Sequence, residues 1–469
     1  MFTRLLAPLV LVTVSGIAYG QSFTPKDMAA AAELRDRAMN DNTAYELVTS
    51  LTTEVGPRAA GSPGDRAAVE WAERNLRRLG FSSVRRMDVI VPHWVRGTAS
   101  FEVRSPYPQS MPVLALGGSI GTADTGLTAD IVMVDNLAAL KALPPGAVKD
   151  RIVFFAGRTE RTRDGSGYGK AVQVRAQGPS AAAALGAIGV VIRSIGTSNN
   201  RFPHTGALSY NISAPRIPAV ALSNPDADAL ERQVASGKPV TVSMTVSARD
   251  LPQTLSANVI GEIPGTDPNA EIVLVGAHLD SWDPGTGALD DGAGVAIVMT
   301  AAKLIRETNP KPRRTIRVVL FANEEFGLSG SLTYANKIDE EFSRHAVALE
   351  SDFGAGPVLQ LASRVPANLL PAIQAVQEVV APLGVEPGGN EANGGADLAP
   401  LRRLGMPLIG PQLDGTNYFD VHHTANDTLD QVDPEHIRQA AAVYAVSAYL
   451  AAQLPVSWGR NTTPTPAPN

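Results

Sequence analysis

The stretch EIVLVGAHLDSWDPGTGALDDGAG, residues 271–294, decides how the chain folds and where its chemistry lies. It opens with an apolar run that is typical of a buried strand. His278, Asp280 and Asp290 follow in a glycine-containing loop, and an apolar helical pattern continues beyond them. Because glycine lets the backbone bend closely and His and carboxylates bind divalent metals, the loop is a candidate metal site. A surface turn is the alternative interpretation, since Asp and Gly also favour turns.

Composition limits the classes of function. The 469 residues suffice for two or three domains, and 44% apolar with 18% charged residues is ordinary for a globular protein. The formal net charge is −6 and no basic stripe is present, which argues against nucleic acid as a partner. The chain contains no cysteine, so any bound metal must be held by His, Asp and Glu.

The N-terminus has the pattern of a cleaved signal peptide over residues 1–20. Arg4 supplies a positive charge, Leu5 to Ile17 an apolar segment, and Ala18-Tyr19-Gly20 a small-residue cleavage site. The apolar segment is short for a membrane span. The pattern predicts a secreted or periplasmic protein that has no membrane contact after cleavage; an uncleaved anchor is the alternative.

The remaining chain divides by pattern into three parts. Strands and helices alternate over residues 250–455, which predicts an α/β fold with a mostly parallel sheet flanked by helices on both faces. Residues 25–105 add a helix and early strands to this discontinuous domain. Residues 106–249 contain short strands between turns rich in Gly, Pro, Ser and Asn, which predicts an inserted β-rich domain. Residues 457–469, rich in Pro and Thr, are expected to form a disordered tail.

Polar clusters follow four of the predicted strands, at the position where ligands bind to such sheets. The clusters are His278, Asp280 and Asp290; Asn323, Glu324 and Glu325; Glu350, Ser351 and Asp352; and Asp420, His422, His423 and Asp427. Each one taken singly has an ordinary explanation as surface charge or a turn. Together they place several carboxylates in one cleft without Lys or Arg, and unpaired buried charge is costly. A pair of divalent metals balances this charge, and ligands without sulfur suit zinc, with manganese or cobalt as substitutes.

Two adjacent metals need a bridging carboxylate, and each needs a His and a further carboxylate. Five residues meet this requirement: His278, Asp290, Glu325, Asp352 and His423. Glu324 stands beside Glu325 and is a candidate general base for a metal-bound water. Asp280 is a candidate partner for the far ring nitrogen of His278. Arg58, Arg66 and His204 lie outside these clusters and are interpreted as surface charges and a polar loop residue.

The motifs resemble the co-catalytic di-zinc exopeptidases of metallopeptidase family 28, which includes bacterial leucyl aminopeptidases and carboxypeptidase Q. The matching pieces are GPRAAGS (56–62), HLDSWDPGTGALDDGAG (278–294), ANEEFGLSGS (322–331), ESD (350–352) and HHTANDT (422–428). The resemblance implies two zinc ions per chain. It implies His278 and Asp352 at one ion, Glu325 and His423 at the other, and Asp290 as the bridge.

The same resemblance implies further roles. The Asp290–Asp291 peptide is expected to be cis, and Glu324 is expected to be the general base. Tyr418 is a candidate oxyanion donor and Asp397 a candidate substrate contact; a packed aromatic ring and a simple turn are the alternatives. The inserted block resembles a protease-associated domain.

The implied activity is hydrolysis of short peptides or dipeptides. Aminopeptidase and carboxypeptidase Q-like dipeptidase specificities both fit, because they share this metal core. A glutaminyl cyclase-type acyltransferase with one zinc is an alternative on the same fold. A non-enzymatic binding protein like the transferrin receptor ectodomain is another, although such relatives lose ligands that this chain has kept.

Overall fold

A computed structural model of the chain describes residues 23–338 and 342–461. The predicted signal peptide lies outside the described residues. The strands are β1 (Arg85–Val95), β2 (Ala99–Ser105), β3 (Gln109–Met111), β4 (Val113–Ala115), β5 (Leu127–Val134), β6 (Ile152–Phe155), β7 (Gly189–Arg193), β8 (Ala219–Leu222), β9 (Thr241–Val246), β10 (Arg249–Ile263), β11 (Ile272–His278), β12 (Thr315–Phe321), β13 (His345–Glu350), β14 (Val358–Arg364), β15 (Glu386–Pro387) and β16 (Leu408–Leu413).

The helices cover both sheets that these strands form. They are α1 (Pro25–Ala38), α2 (Thr43–Glu54), α3 (Pro63–Arg78), α4 (Leu137–Lys141), α5 (Ser166–Ala184), α6 (Asn224–Ala235), α7 (Ala293–Glu307), α8 (Ser329–Lys337), α9 (Leu370–Val380), α10 (Ala399–Arg403), α11 (Tyr418–Val421) and α12 (Pro434–Gln453).

The first sheet has the strand order β1-β10-β12-β11-β13-β16-β14-β15. Its centre is parallel, because β11 pairs with β12 on one side and β13 on the other, and β13 pairs with β16 in the same direction. Antiparallel pairs lie outside this centre, between β1 and β10, β10 and β12, and β14 and β16. The predicted α/β fold class is confirmed. The parallel centre brings the carboxyl ends of β11, β12 and β13 to one edge of the sheet.

Apolar side chains on the two faces of this sheet enter separate cores. On β11, Val273 and Val275 join the core that contains α7 and α12, whereas Leu274 joins the opposite core with Tyr334 and Leu401. Burying each of these side chains contributes about 1.5–3 kcal/mol, so the alternation holds helices on both faces. The rigid β11 strand ends at His278, directly before the polar loop.

Helix α3 begins as the sequence indicates. The Ser62 hydroxyl accepts the N–H of Asp65, and Pro63 occupies the first helical position. Asp65 also accepts hydrogen bonds from the Gly61 N–H at 2.8 Å and the Ser256 hydroxyl at 2.7 Å. This buried carboxylate ties α3 to strand β10.

The second sheet has the order β3-β2-β9-β5-β6-β7-β8-β4 and is parallel from β5 to β8. Helices α4, α5 and α6 lie between its strands in sequence, so this part is mixed α/β and not simply β-rich. Strand β2 falls within the predicted 25–105 segment but pairs with β3 and β9 in the second sheet. The chain therefore crosses between the sheets before residue 99, because β2 completes its hydrogen bonding there.

The predicted tail begins too early. Trp458 is buried, and its indole N–H donates to the Ala451 carbonyl at 3.2 Å. The Asn461 N–H donates to the Gly405 carbonyl at 2.9 Å. Residues 457–461 therefore pack on the first sheet's core, and residues 462–469 lie outside the described part. Across the described ranges, none of the helices combines the length and apolar character that crossing a membrane requires.

Candidate metal centre

Three of the predicted ligands follow the three central parallel strands. His278 is the last residue of β11, Glu325 follows β12, and Asp352 follows β13. Because these strands run side by side in the same direction, their ends meet at one edge. Asp290 and His423 reach the same edge from the loops before α7 and after α11.

Asp290 lies between two His–carboxylate pairs. Its Oδ1 is 3.2 Å from His278 Nε2, which is also 3.4 Å from Asp352 Oδ1. Its Oδ2 is 3.2 Å from His423 Nε2, which is also 3.0 Å from Glu325 Oε2. We call His278 with Asp352 the Asp352 half, and Glu325 with His423 the Glu325 half. The five predicted ligands thus converge, with one oxygen of Asp290 directed at each half.

The charges of the centre call for a cation. Burial, reinforced by Asp290, raises the pKa of Glu325 to about 7, and burial also raises the pKa of Asp352. The pKa of His423 rises to about 9, because the neighbouring carboxylates outweigh burial. Asp290 Oδ2 and Glu325 Oε1 are buried without a hydrogen-bond donor among the described residues. Carboxylates short of donors beside two imidazoles fit divalent zinc, which would supply the missing positive charge.

The Nδ1 atoms of both imidazoles lie near main-chain carbonyl oxygens, an arrangement that suits metal binding through Nε2. His278 Nδ1 lies 3.1 Å from the Asp280 carbonyl oxygen, and His423 Nδ1 lies 3.2 Å from the Thr205 carbonyl oxygen. Since a carbonyl can only accept, each Nδ1 donates its hydrogen. Each Nε2 faces Asp290 and would give up its hydrogen on binding a metal.

The loop that carries Asp290 is held by two further carboxylates. The Asp290–Asp291 peptide is cis, as the resemblance implies. Asp427 accepts the N–H of Leu289 at 2.6 Å and that of Asp290 at 3.2 Å. Asp291 accepts the N–H of His278 at 3.1 Å. Asp291 and Asp427 therefore position the bridging residue and the end of β11.

Asp280 contacts the far ring nitrogen of His278 mainly through its main-chain carbonyl oxygen, and its carboxylate has further partners. Its carboxylate is 3.6 Å from His278 Nδ1, farther than its own carbonyl oxygen. The carboxylate instead accepts the N–H of Glu324 at 3.0 Å and that of Glu325 at 3.4 Å. Asp280 thus links the loop after β11 to the loop that carries the candidate base. Burial raises the pKa of Glu324 well above its ordinary value.

Arg58 was interpreted as a surface charge, and this is wrong. Its side chain is fully buried, and the guanidinium donates to the carbonyls of Leu279 at 2.6 Å, Thr286 at 2.7 Å and Gly287 at 2.8 Å. The loop between His278 and Asp290 therefore wraps around this cation. Its position in GPRAAGS, a piece quoted for the resemblance, was the only sequence signal that could have indicated a role. Arg66 is exposed, as predicted.

The second sheet also reaches the metal centre. The Thr205 N–H donates to the His423 carbonyl at 3.0 Å, so Thr205 and His423 exchange two hydrogen bonds. These bonds hold His423 in a left-handed conformation with φ of 61°. Arg96 donates to the Thr205 hydroxyl at 2.7 Å and pairs with both oxygens of Asp283 at 3.0 Å. Arg96 thereby connects the loop after His278, which carries Asp283, to Thr205, which supports His423.

Two other histidines lie close to the centre. His204 was interpreted as a polar loop residue but is only 2% exposed, and burial with the charge of His423 lowers its pKa to about 3. His422 stacks on His423 at 3.5 Å, and its Nε2 is 3.4 Å from Asp290 Oδ2. Among the described residues, Asp290, His422 and His423 form one possible ligand group, and His278, Asp290 and Asp352 another. The contact with Glu325 favours His423 as the ligand.

The remaining candidates, Tyr418 and Asp397, are both buried. Tyr418 is buried and packs against Phe353 and His422, with ring centroids 5.2 and 4.9 Å apart. This packing matches the alternative, a packed aromatic. Asp397 is fully buried, burial raises its pKa to about 8, and its N–H donates to Glu350 at 3.1 Å. Glu350 therefore holds the Asp397 loop at the edge of the site.

A cleft of about 480 Å³ opens beside the Asp352 half. Its wall includes Glu350, Asp352 and Phe353 from the first sheet, and Arg163 from the loop between β6 and α5. This volume is in the range of small-ligand sites. The cleft is the place where a small polar molecule could reach the metal centre.

Comparisons with known proteins agree with this geometry. The family described as Peptidase family M28 matches residues 258–448. Carboxypeptidase Q of Mus musculus is 34% identical over 415 residues, which cover 88% of this chain and 86% of that protein. A crystal structure titled as a peptidase M28 precursor from Shewanella amazonensis is 47% identical, with a TM-score of 0.91, and the match covers 93% of this chain and 99% of that one. A zinc aminopeptidase from Bacillus subtilis shares the fold at 22% identity and a TM-score of 0.64, covering 88% of this chain and 94% of that one.

Proposed function

This chain belongs to peptidase family M28 and is a zinc metallopeptidase that acts on peptides, and on this premise we propose that it is a secreted di-zinc exopeptidase of short peptides or dipeptides. The observation that carries the proposal is the position of Asp290 between two His–carboxylate pairs, with each of its oxygens within 3.2 Å of a different imidazole. Two pairs around one carboxylate support two adjacent ions rather than one.

In this proposal the five ligands divide as the halves do. His278 and Asp352 hold one ion, Glu325 and His423 hold the other, and Asp290 bridges them. Bound zinc would polarise the scissile carbonyl and lower the pKa of a water molecule to about 7. The same ions would lower the raised carboxyl pKa values in the centre, because positive charge favours the ionised form.

Glu324 is the proposed general base. It accepts a proton from the attacking water and returns it to the leaving amine, so one carboxyl group serves both steps. The Asp280 carboxylate accepts the main-chain N–H of Glu324 and so fixes the backbone that carries the Glu324 side chain. The ligand Glu325 is the next residue, which places the base at the edge of the metal centre.

The proposal extends to the domain division and location. The first sheet and its helices form the peptidase domain, and the second sheet forms an inserted protease-associated-like domain. The N-terminal pattern over residues 1–20 supports export to the periplasm or the medium. N-terminal sequencing of the exported protein tests this point, since a chain that starts at Met1 would contradict cleavage.

Substituting Glu324 tests the catalytic assignment. Glu324→Gln keeps the size of the side chain and leaves the ligands in place, but it removes the proton acceptor. We expect about two zinc ions per chain by mass spectrometry of the metal, and a loss of roughly 10³–10⁴-fold in kcat on dipeptides. A variant with full activity would exclude this role. A wild-type protein with one zinc per chain would instead favour the glutaminyl cyclase-type alternative.

A further inference from the structure

The cleft beside the metal centre has an uneven distribution of charge. Carboxylates from both sheets line it, namely Asp164, Glu350, Asp352 and Glu386. Among the described residues that line it, Arg163 is the single Lys or Arg. These carboxylates and the one guanidinium lie among uncharged residues of the wall, so a ligand in this cleft can meet both kinds of charge.

The backbone of Arg163 is fixed against the first sheet, although the residue belongs to the β6–α5 loop. The Gly415 N–H donates to the Arg163 carbonyl at 3.0 Å. Two residues on, Gly165 has φ of 75°, and a Cβ there would lie 2.8 Å from the Phe353 ring. Only a residue without a side chain permits this approach, which holds the loop at the cleft wall.

The guanidinium of Arg163 is available to a ligand. Its side chain is 67% exposed, and its ion pair with Asp414 is long, 3.9 Å from Nε to Oδ2. By contrast, Arg161 in the same loop pairs with Asp420 at 2.6 Å. Of these two arginines, Arg163 is the one without a close carboxylate partner.

We propose that Arg163 binds the free α-carboxylate of the substrate and so directs the enzyme to dipeptides; this rests on the proposed function. A guanidinium binds a carboxylate through two parallel hydrogen bonds, which gives both attraction and orientation. A dipeptide carries a carboxylate at one end and an ammonium at the other, which matches one Arg and several carboxylates in one small cleft.

The test compares two substrates that differ only in this charge, Ala-Ala and Ala-Ala-amide. Arg163→Met removes the guanidinium and keeps much of the side-chain volume, and Arg163→Lys keeps the charge without the bidentate geometry. Arg158→Met is the matched control, because Arg158 lies in the same loop but pairs with Asp228 at 2.8 Å and is absent from the cleft wall.

We expect the wild-type enzyme to prefer Ala-Ala to its amide. Arg163→Met should lower kcat/KM for Ala-Ala by about tenfold, chiefly through KM, and change that for the amide by less than about twofold. Arg163→Lys should fall between, and Arg158→Met should resemble the wild type. An equal effect of Arg163→Met on both substrates, or a wild-type preference for the amide, would overturn the proposal.

Binding separates this subsite from the catalytic proposal. Ala-Ala can be titrated calorimetrically into the zinc-loaded Glu324→Gln variant with and without Arg163→Met. Weaker binding of Ala-Ala on removal of Arg163 would support the carboxylate subsite. If the wild-type enzyme at the same time cleaved none of the substrates, the peptidase proposal alone would be refuted. Binding that does not depend on Arg163 would refute the subsite alone.

Discussion

The two halves of the metal centre have equivalent donors but different support. In the Asp352 half, His278 is the end of a central strand, and its Nδ1 donates to the carbonyl of Asp280 two residues later. In the Glu325 half, His423 follows a four-residue helix, and its Nδ1 donates to Thr205 in the part of the chain that carries the second sheet. One half is supported within the first sheet, and the other depends on how the two parts of the protein pack.

This difference indicates what the second part contributes. It supplies none of the five proposed ligands, yet its Thr205 carbonyl orients one of them. Partners that orient a ligand typically change metal affinity by 10–100-fold. Damage to the packing between the two parts should therefore weaken metal binding in the Glu325 half selectively. Damage to the loop between His278 and Asp290 should weaken metal binding in both halves.

The largest effect is expected from Asp290→Ala, which removes the residue that both halves share. We expect both ions to be lost and kcat to fall by at least about 10⁴-fold, because neither pair keeps a third ligand. Metal content per chain and dipeptide hydrolysis measure this. Asp124→Ala, at an exposed position, is the control. Retention of one tightly bound ion would show that the halves are independent.

Arg58→Lys should weaken both halves to a similar degree. Lysine keeps the charge but cannot donate to the carbonyls of Leu279, Thr286 and Gly287 together, so the loop between His278 and Asp290 loosens. We expect both zinc affinities to fall by about 10–100-fold in competition with a chelator. Arg66→Lys, eight residues farther along the chain and exposed, should have no effect.

Arg96→Met should distinguish the halves. It removes the donor to the Thr205 hydroxyl. It also removes the partner of Asp283, but the loop that carries Asp283 keeps its three hydrogen bonds from Arg58. We expect the affinity for the ion of the Glu325 half to fall by about tenfold, because Thr205 orients His423. The affinity for the ion of the Asp352 half should stay within about twofold of the wild type. Cobalt substitution gives an independent reading, because the absorption bands of only one site should change. Arg104→Met on strand β2, where the side chain is 54% exposed, is the control. Equal weakening of both ions would contradict the asymmetry.

The smallest effect on the centre is expected from Asp65→Asn, which perturbs the fold elsewhere. Burial raises the pKa of Asp65 to about 6, above the value of about 3.9 in an unfolded chain. The folded state therefore holds this proton more tightly, and the resulting stability is lost as the pH rises through 6.

Between pH 5 and 7.5, the unfolding free energy of the wild type should decline by about 1 kcal/mol relative to Asp65→Asn, as measured by denaturant titration. Zinc content should be equal in the two proteins. A difference that does not vary with pH would show that Asp65 is ionised throughout this range.

Regular elements with strong local patterns could be read from the sequence. The apolar run that opens the stretch 271–294 is strand β11, and the apolar helical pattern that follows its loop is helix α7. Helices α10 and α11, of five and four residues, are too short to show a helical period.

The metal ligands could be predicted because each follows a strand and has a chemical type that metals select. Asp290 and the residues after β11, β12 and β13 lie where parallel strands end, and adjacent parallel strands end at one edge. Sequence order along such a sheet therefore carries information about proximity. Charge balance then indicated a metal pair, since the clusters contain acids and histidines without a nearby basic residue.

The supporting contacts could not be predicted, because they join segments that are distant in the chain. Arg58 is separated from Leu279 by 221 residues, and His423 from Thr205 by 218. A local pattern cannot show that an arginine will be enclosed by carbonyls, or that a loop of one part of the chain will supply a ligand's hydrogen-bond acceptor. The donor chemistry resides in short motifs, whereas the tautomer, orientation and burial of each donor depend on long-range packing that only the tertiary structure determines.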